Sequence, residues 1–235
     1  EKSERIDFVK TKKLESNHKL MNKTLQRYFG QTLTEKILKD DGVLAGENSR
    51  VTISFTDISS YSTIIEHMSP EIAVKFLNEY FTGMHDVIEQ YDGHIVNYIG
   101  DSVMVVYGAP KKVEDHELLA VKSAIGMRAK LEKMNEKWNN TEFARYWKNN
   151  KIEKIKARTG IHTGSVIAGN IGSERMLQYS TIGDVVNVAA RLEQANKEFG
   201  TDILITQEIY TTLTKDLYSL CVFKQELSLK GRDTL

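Results

Sequence analysis

From Arg50 onward the hydrophobic period changes in a fixed order, and that order constrains the fold more than any other feature of the chain. Val51-Thr52-Ile53-Ser54-Phe55 alternates with period two and reads as a strand. Pro70 to Tyr91 has helical spacing through Ala73, Phe76, Leu77, Tyr80, Met84 and Ile88. His94 to Ile99 and Val103 to Tyr107 are two β-rich runs joined by Gly100-Asp101-Ser102, a hairpin signal. Leu118 to Met134 is helical again, and Ile155 to Ile161 and Ser165 to Ile171 read as a further strand pair around His162-Thr163-Gly164. Asp184 to Lys197 reads as a helix, Asp202 to Ile205 as a short strand, and Leu217 to Leu229 as mostly extended. Strand, helix, hairpin, helix, strand is the order of an α+β fold: an antiparallel sheet of ferredoxin-like, palm-type arrangement with helices on one face.

Two stretches stand apart. Residues 1 to 48 are polar and helical in pattern, with Leu14, Met21 and Tyr28 seven residues apart and Leu25 near the same stripe, a loose coiled-coil seam interrupted by Lys12, Lys13, Asn17 and His18. Thr32 to Glu35 has capping-box spacing ahead of Ile37-Leu38 and marks a second short helix before Asp41-Gly42 breaks the pattern. The division predicted is a helical linker over 1–48 and a folded domain over 49–235. Glu136 to Asn150, rich in Asn, Lys and Trp, is expected to be an exposed arm.

Lys+Arg and Asp+Glu both number 32, so no charge field points to nucleic acid or an anionic membrane, and phosphate would have to be met by a few placed groups. The one cysteine, Cys221, excludes an internal disulfide framework and fits a reducing cytoplasm. No apolar run reaches the roughly 18 residues of a membrane span. The chain opens at Glu1 rather than methionine. It reads as a cytoplasmic piece of a larger protein, with a sensor or membrane-tethering region expected upstream.

Asp57 ends the first strand and Asp101 sits in the hairpin turn. If the hairpin pairs beside that strand, the two carboxylates meet at one sheet edge and repel unless a proton or cation intervenes. With only oxygen ligands on offer, the cation would be magnesium or manganese. Taken singly, Asp57 reads rather as an N-cap and Asp101 as a turn residue; the pairing is what points to a cation. Ser59-Ser60-Tyr61-Ser62 supplies small and hydroxyl residues where strand turns to helix, and backbone amides there suit phosphate oxygens. Asn187 and Arg191 lie at i and i+4, sharing a helix face beside an apolar one formed by Val188 and Leu192. An arginine next to an amide in that setting suits a developing negative charge. Asn97 lies between Ile95 and Ile99 in the strand pattern, and burying its amide would cost about 1–3 kcal/mol unless it is hydrogen-bonded.

Four motifs then point to one family. Phe55-Thr56-Asp57-Ile58, Tyr98-Ile99-Gly100-Asp101, Arg158-Thr159-Gly160-Ile161-His162-Thr163-Gly164, and Tyr179-Ser180-Thr181-Ile182-Gly183-Asp184-Val185-Val186-Asn187-Val188-Ala189-Ala190-Arg191-Leu192 resemble the class III adenylyl/guanylyl cyclases, in family order. The resemblance runs from about Arg50 to the end of the chain. It implies that Asp57 and Asp101, with the Ile58 carbonyl, hold two Mg2+ or Mn2+ per site. It makes Arg158 and Lys230 triphosphate ligands, beside the backbone amides read above at Ser60, Tyr61 and Ser62. Arg191 would stabilise the transition state and Asn187 orient the ribose. It also implies a homodimer whose sites lie between subunits: Asp57, Asp101 and Arg158 from one chain, with Asn97, Ser180, Asn187, Arg191 and Lys230 from its partner.

Two positions depart from the family pattern. Ser60 stands where the family usually has glycine. The base-reading pair is Asn97 and Ser180, where adenylyl cyclases carry lysine with aspartate or threonine and guanylyl cyclases carry glutamate with cysteine or a similar residue. Serine is close to the bacterial adenylyl threonine, and asparagine can pair with either base. The function expected is conversion of ATP to 3′,5′-cyclic AMP and pyrophosphate. The alternatives are a guanylyl or dual-specificity cyclase with GTP as substrate, and a catalytically degenerate cyclase fold acting as a dimerising module.

Overall fold

The structure, a computed structural model, describes residues 2–42 and 44–224. It divides into two compact units, 1–45 and 46–235. The first holds α1 (Lys2–Phe29) and α2 (Gln31–Lys39). On α1 the seam residues Leu14, Met21 and Tyr28 are all exposed. The expected capping box on α2 does not form. Gly30 is its N-cap, Thr34 Oγ1 donates back to the Gly30 carbonyl at 2.8 Å, and Glu35 accepts from Gln31 instead.

The second unit opens on β1 (Glu47–Ile58), which begins two residues inside the predicted linker. Then follow α3 (Tyr61–Ile65), α4 (Pro70–Gln90), β2 (His94–Ile99), β3 (Ser102–Tyr107), α5 (His116–Trp138), α6 (Ala144–Lys148), β4 (Ala157–Ser173), β5 (Met176–Ile182), α7 (Asp184–Phe199), β6 (Ile203–Ile205), α8 (Gln207–Tyr210) and α9 (Lys215–Tyr218). Local signals fix the long helices. Ser69 Oγ accepts the Ile72 amide and Pro70 starts α4, while Gly200 in the left-handed region closes α7.

The sheet order is β2-β3-β1-β4-β5, antiparallel throughout that path, with β6 added parallel to β4. Thr52, Ser54 and Thr56 pair with Tyr107, Val105 and Val103, so one face of β1 and β3 looks toward α4 and α5. There Val103, Val105, Tyr107 and Ile161 join Phe76, Met84, Ala124 and Met127 in the main core. These two helices supply the expected cover on one face, and the structure adds α7 on the other. A Cβ at Gly160 would come within 2.2 Å of the Glu193 amide nitrogen and 2.4 Å of the Ala189 carbonyl oxygen. Only glycine admits α7 so close to β4.

Three expectations are corrected. The predicted strand pair around His162-Thr163-Gly164 is one continuous strand of 17 residues, because β1 pairs with it without a break from Glu47↔Ala168 to Ile58↔Ala157. The segment 136–150 is no exposed arm. It closes α5, turns and forms α6, burying Trp138, Phe143 and Trp147 against Phe76, with ring centroids 5.2 to 6.0 Å apart. The apolar gain from burying three such rings outweighs the polar composition around them. The segment expected to be extended from Leu217 starts inside the short helix α9, and its residues 225–229 lie outside the described ones.

Candidate active site

Asp57 and Asp101 come together as the hairpin reading requires. Thr56 pairs with Val103 across β1 and β3, and the turn before Ser102 therefore sits beside the end of β1. Asp101 Oδ2 accepts the Ile58 backbone amide at 3.1 Å, and Ser102 Oγ donates to Asp57 Oδ1. Burial first, and then the charge of Asp57, push the Asp101 carboxyl up to about 7. The Tyr80 hydroxyl, fully buried beneath, has no hydrogen-bond partner and is raised by burial and then by both aspartates.

Arg158 is the register partner of Asp57 on β4, so the two side chains share a face. Its Nη2 donates to Asp57 Oδ2 at 3.2 Å. Its Nε lies 3.1 Å from Glu193 Oε1 on α7, near enough for an ion pair but out of line for a hydrogen bond, and both atoms lack a hydrogen-bond partner. Burial and then Asp57 raise the Glu193 carboxyl, while Arg158 lowers it.

The phosphate-loop candidates follow directly. Ser60 is exposed, at φ 61° and ψ 29°, so this serine adopts the left-handed conformation that glycine favours. Tyr61 and Ser62 form the first turn of α3. Burial, then Asp101, raises the Tyr61 hydroxyl.

The remaining candidates lie elsewhere on the same unit. Val185, Val188, Leu192 and Asn196 are buried on α7, and helical spacing puts Asn187, which is exposed, and the half-buried Arg191 on the opposite side. Asn97 is exposed rather than buried. A bulge between Ile95 and Asn97 shifts the register, so Asn97 leaves the face of Ile95 and joins that of His94 and Met104. Ser180 is half-buried on β5, opposite Gly169. The strand order separates β2 from β5 by three strands, yet the His94 and Tyr179 rings meet edge-on at 5.7 Å. That contact sets His94, at the start of β2, against Tyr179, the residue before Ser180. Lys230 lies outside the described residues.

Sequence reasoning missed Tyr80, Ser102 and Glu193. The signal for Glu193 is an acid four residues after Ala189, inside the apolar stripe of α7 rather than on its polar side. Ser102 and Tyr80 carried no signal that separates them from an ordinary turn serine and a core tyrosine.

An antiparallel sheet with paired carboxylates at the junction of strand end and hairpin, an arginine across the ladder and a helix bearing Asn187 and Arg191 defines a nucleotide-cyclase architecture. Residues 43–235 match the family model of the adenylate and guanylate cyclase catalytic domain, and the chain belongs to that family. It is 37% identical over 183 residues to adenylate cyclase 1 of Rhizobium meliloti (strain 1021), a match covering 77% of this chain and 26% of that protein. The chain thus spans about a quarter of the length of that relative. Among solved structures it resembles the guanylyl cyclase Cya2, with TM-score 0.66 and 29% identity over 80% of this chain and 89% of that one. It also resembles the adenylyl cyclase CyaB from P. aeruginosa, with TM-score 0.63 and 27% identity over 80% and 91%. Among the described residues no helix is long and apolar enough to cross a membrane.

Proposed function

We propose that this domain converts ATP to 3′,5′-cyclic AMP and pyrophosphate, in the cytoplasm, at sites that two copies of the chain build together. The observation that carries the reading is the division of labour on one unit. Asp57, Asp101 and Arg158 converge on the sheet, while Asn187 and Arg191 lie on the side of α7 turned away from it.

The donor set fits hard divalent cations. Two carboxylates crowd one another, their donors are all oxygen, and burial together with the facing Asp57 pushes the Asp101 carboxyl up to about 7. Among the described residues no group of three or more His, Cys, Asp or Glu is placed to hold a metal by itself. Asp57, Asp101 and the Ile58 carbonyl would therefore share two Mg2+ or Mn2+ with the substrate phosphates. When bound, such ions make a ribose 3′-hydroxyl more acidic and offset triphosphate charge.

The chain's own residues do the rest. Arg158 and the backbone of Ser60 to Ser62 take phosphate oxygens, with Lys230 as a further cation. Asn187 holds the ribose so that its 3′-oxygen faces the α-phosphorus, and Arg191 donates to the phosphorus oxygens as charge builds there. Asn97 and Ser180 read the base.

ATP is favoured over GTP because Ser180 resembles the adenylyl threonine and position 97 carries no acid. The likeness to the guanylyl cyclase Cya2, together with an amide at Asn97 that can flip to suit either base, supports a guanylyl or dual-specificity second reading. Turnover of ATP and GTP in parallel, with magnesium and with manganese and with the product identified, tests both. ATP is expected to give the higher kcat/KM by a small margin. A higher value for GTP replaces the adenylyl reading with the guanylyl one, and no cyclic product from either nucleotide overturns both.

A further inference from the structure

We infer that Glu193 is a positioning residue that holds Arg158 for the triphosphate. The inference rests on the cyclase reading only in taking phosphate as what Arg158 meets. Glu193 stands on the buried side of α7, 8% exposed, where a carboxylate is costly unless a cation faces it. The cation present is Arg158, reached because Gly160 lets the helix backbone settle onto β4.

The guanidinium is shared between two acids. Nη2 donates to Asp57 Oδ2 at 3.2 Å, and Nε stands 3.1 Å from Glu193 Oε1 without alignment, leaving both of those atoms short of a hydrogen bond. Were Asp57 to hold cations, its oxygens would no longer be available to Arg158. A small rotation toward Glu193 then brings Nε into line, satisfies both buried atoms and frees the two Nη groups, whose planar fork matches phosphate oxygens. Without Glu193 the guanidinium has no fixed anchor, and phosphate binding must first order it.

The test uses the full chain and four proteins: unmodified, Glu193→Gln, Arg158→Ala and the double variant. Glutamine keeps the volume and removes the charge. Affinity for magnesium pyrophosphate is read by calorimetry, and KM and kcat by turnover. Glu193→Gln is expected to weaken pyrophosphate about 10-fold and to raise KM by a similar factor, with kcat within about threefold. Arg158→Ala should weaken it at least as much, and the double variant no further, because one residue acts through the other. If Glu193→Gln is poorly folded, Glu193→Asp keeps the charge on a shorter arm and should give an intermediate loss. Unmodified affinity in the folded Gln or Asp variant, or losses that multiply in the double variant, overturns the inference. Absence of cyclic product from the unmodified protein would sink the cyclase reading instead, while the pyrophosphate titrations still decide the role of Glu193.

Discussion

The carboxylate of Asp101 accepts the backbone amide of Ile58 at 3.1 Å, which ties the β2–β3 turn to the residue that follows Asp57. The bond fixes the separation of the two aspartates through the backbone, so their crowding is built into the sheet rather than left to side-chain choice. Stability and function then pull in opposite directions at this point.

Asp101→Asn separates them. The amide oxygen can still accept from Ile58, while the like charge beside Asp57 disappears. Without added cations the variant should melt at the same temperature as the unmodified chain or higher. Its turnover should fall by about 10²-fold or more, as should that of the unmodified chain in EDTA. A variant that melts lower, or one that keeps near-normal turnover, contradicts the placing of Asp101 as a cation ligand held near Asp57.

Ser60 offers a second test. Its left-handed backbone costs a β-carbon residue roughly 1 kcal/mol, and its exposed side chain makes no capping hydrogen bond to offset that. Ser60→Gly should therefore stabilise the domain by about 0.5 kcal/mol, the relief of strain exceeding the added freedom of the unfolded chain. Urea unfolding measures it, and a clear loss of stability would mean that the hydroxyl makes a contact worth more than the strain.

Burial at His94 sets a pH dependence. Burial lowers the imidazole to about 4 in the folded chain, against about 6.5 unfolded. The unfolded state therefore takes up the proton first as pH falls. The stability is fully present above pH 6.5 and is lost progressively down to about pH 4, a total of about 3 kcal/mol. His94→Phe preserves a ring against Tyr179 and removes the titration. The difference between the two proteins in urea unfolding should shift in favour of the variant between pH 7.5 and 5. A difference that does not change with pH would show that His94 protonates without penalty.

What was readable in the sequence follows from where local period and tertiary pairing agree. Asp57 and Asp101 were legible because a strand end and a hairpin turn are local signals, and the pairing of β1 with β3 brings them together. The apolar stripe of α7 was legible for the same reason. Asn97 was misplaced because strict alternation assumes an unbroken ladder, and one bulge after Ile95 changes the face. Gly164 looked like a turn, yet in β4 it is a ladder position where a Cβ would lie 2.7 Å from the Val185 side chain. The stretch around Trp147 looked solvated because Asn and Lys outnumber its rings, whereas the rings decide its place. Glu193 could not be paired with Arg158 in advance, since 35 residues and the crossing of α7 over Gly160 separate them.

The remaining prediction concerns the side of α7 turned away from Asp57. If Asn187 and Arg191 serve the site of a second copy, two inactive variants can repair each other. Asp57→Ala keeps a sound Arg191, and Arg191→Ala keeps a sound Asp57. In a heterodimer one site then carries both defects and the other carries neither. With free subunit exchange about half the dimers in an equal mixture are mixed, so activity should return to about a quarter of the unmodified level for a two-fold symmetric pair. Recovery should rise with total protein concentration, because association limits the number of dimers. The exposed seam of Leu14, Met21 and Tyr28 on α1 predicts that a chain beginning at Gly46 needs a higher concentration to reach the same recovery. A mixture that stays as inactive as its components, with subunit exchange demonstrated by mass-tagged chains, would mean that each chain builds its own site.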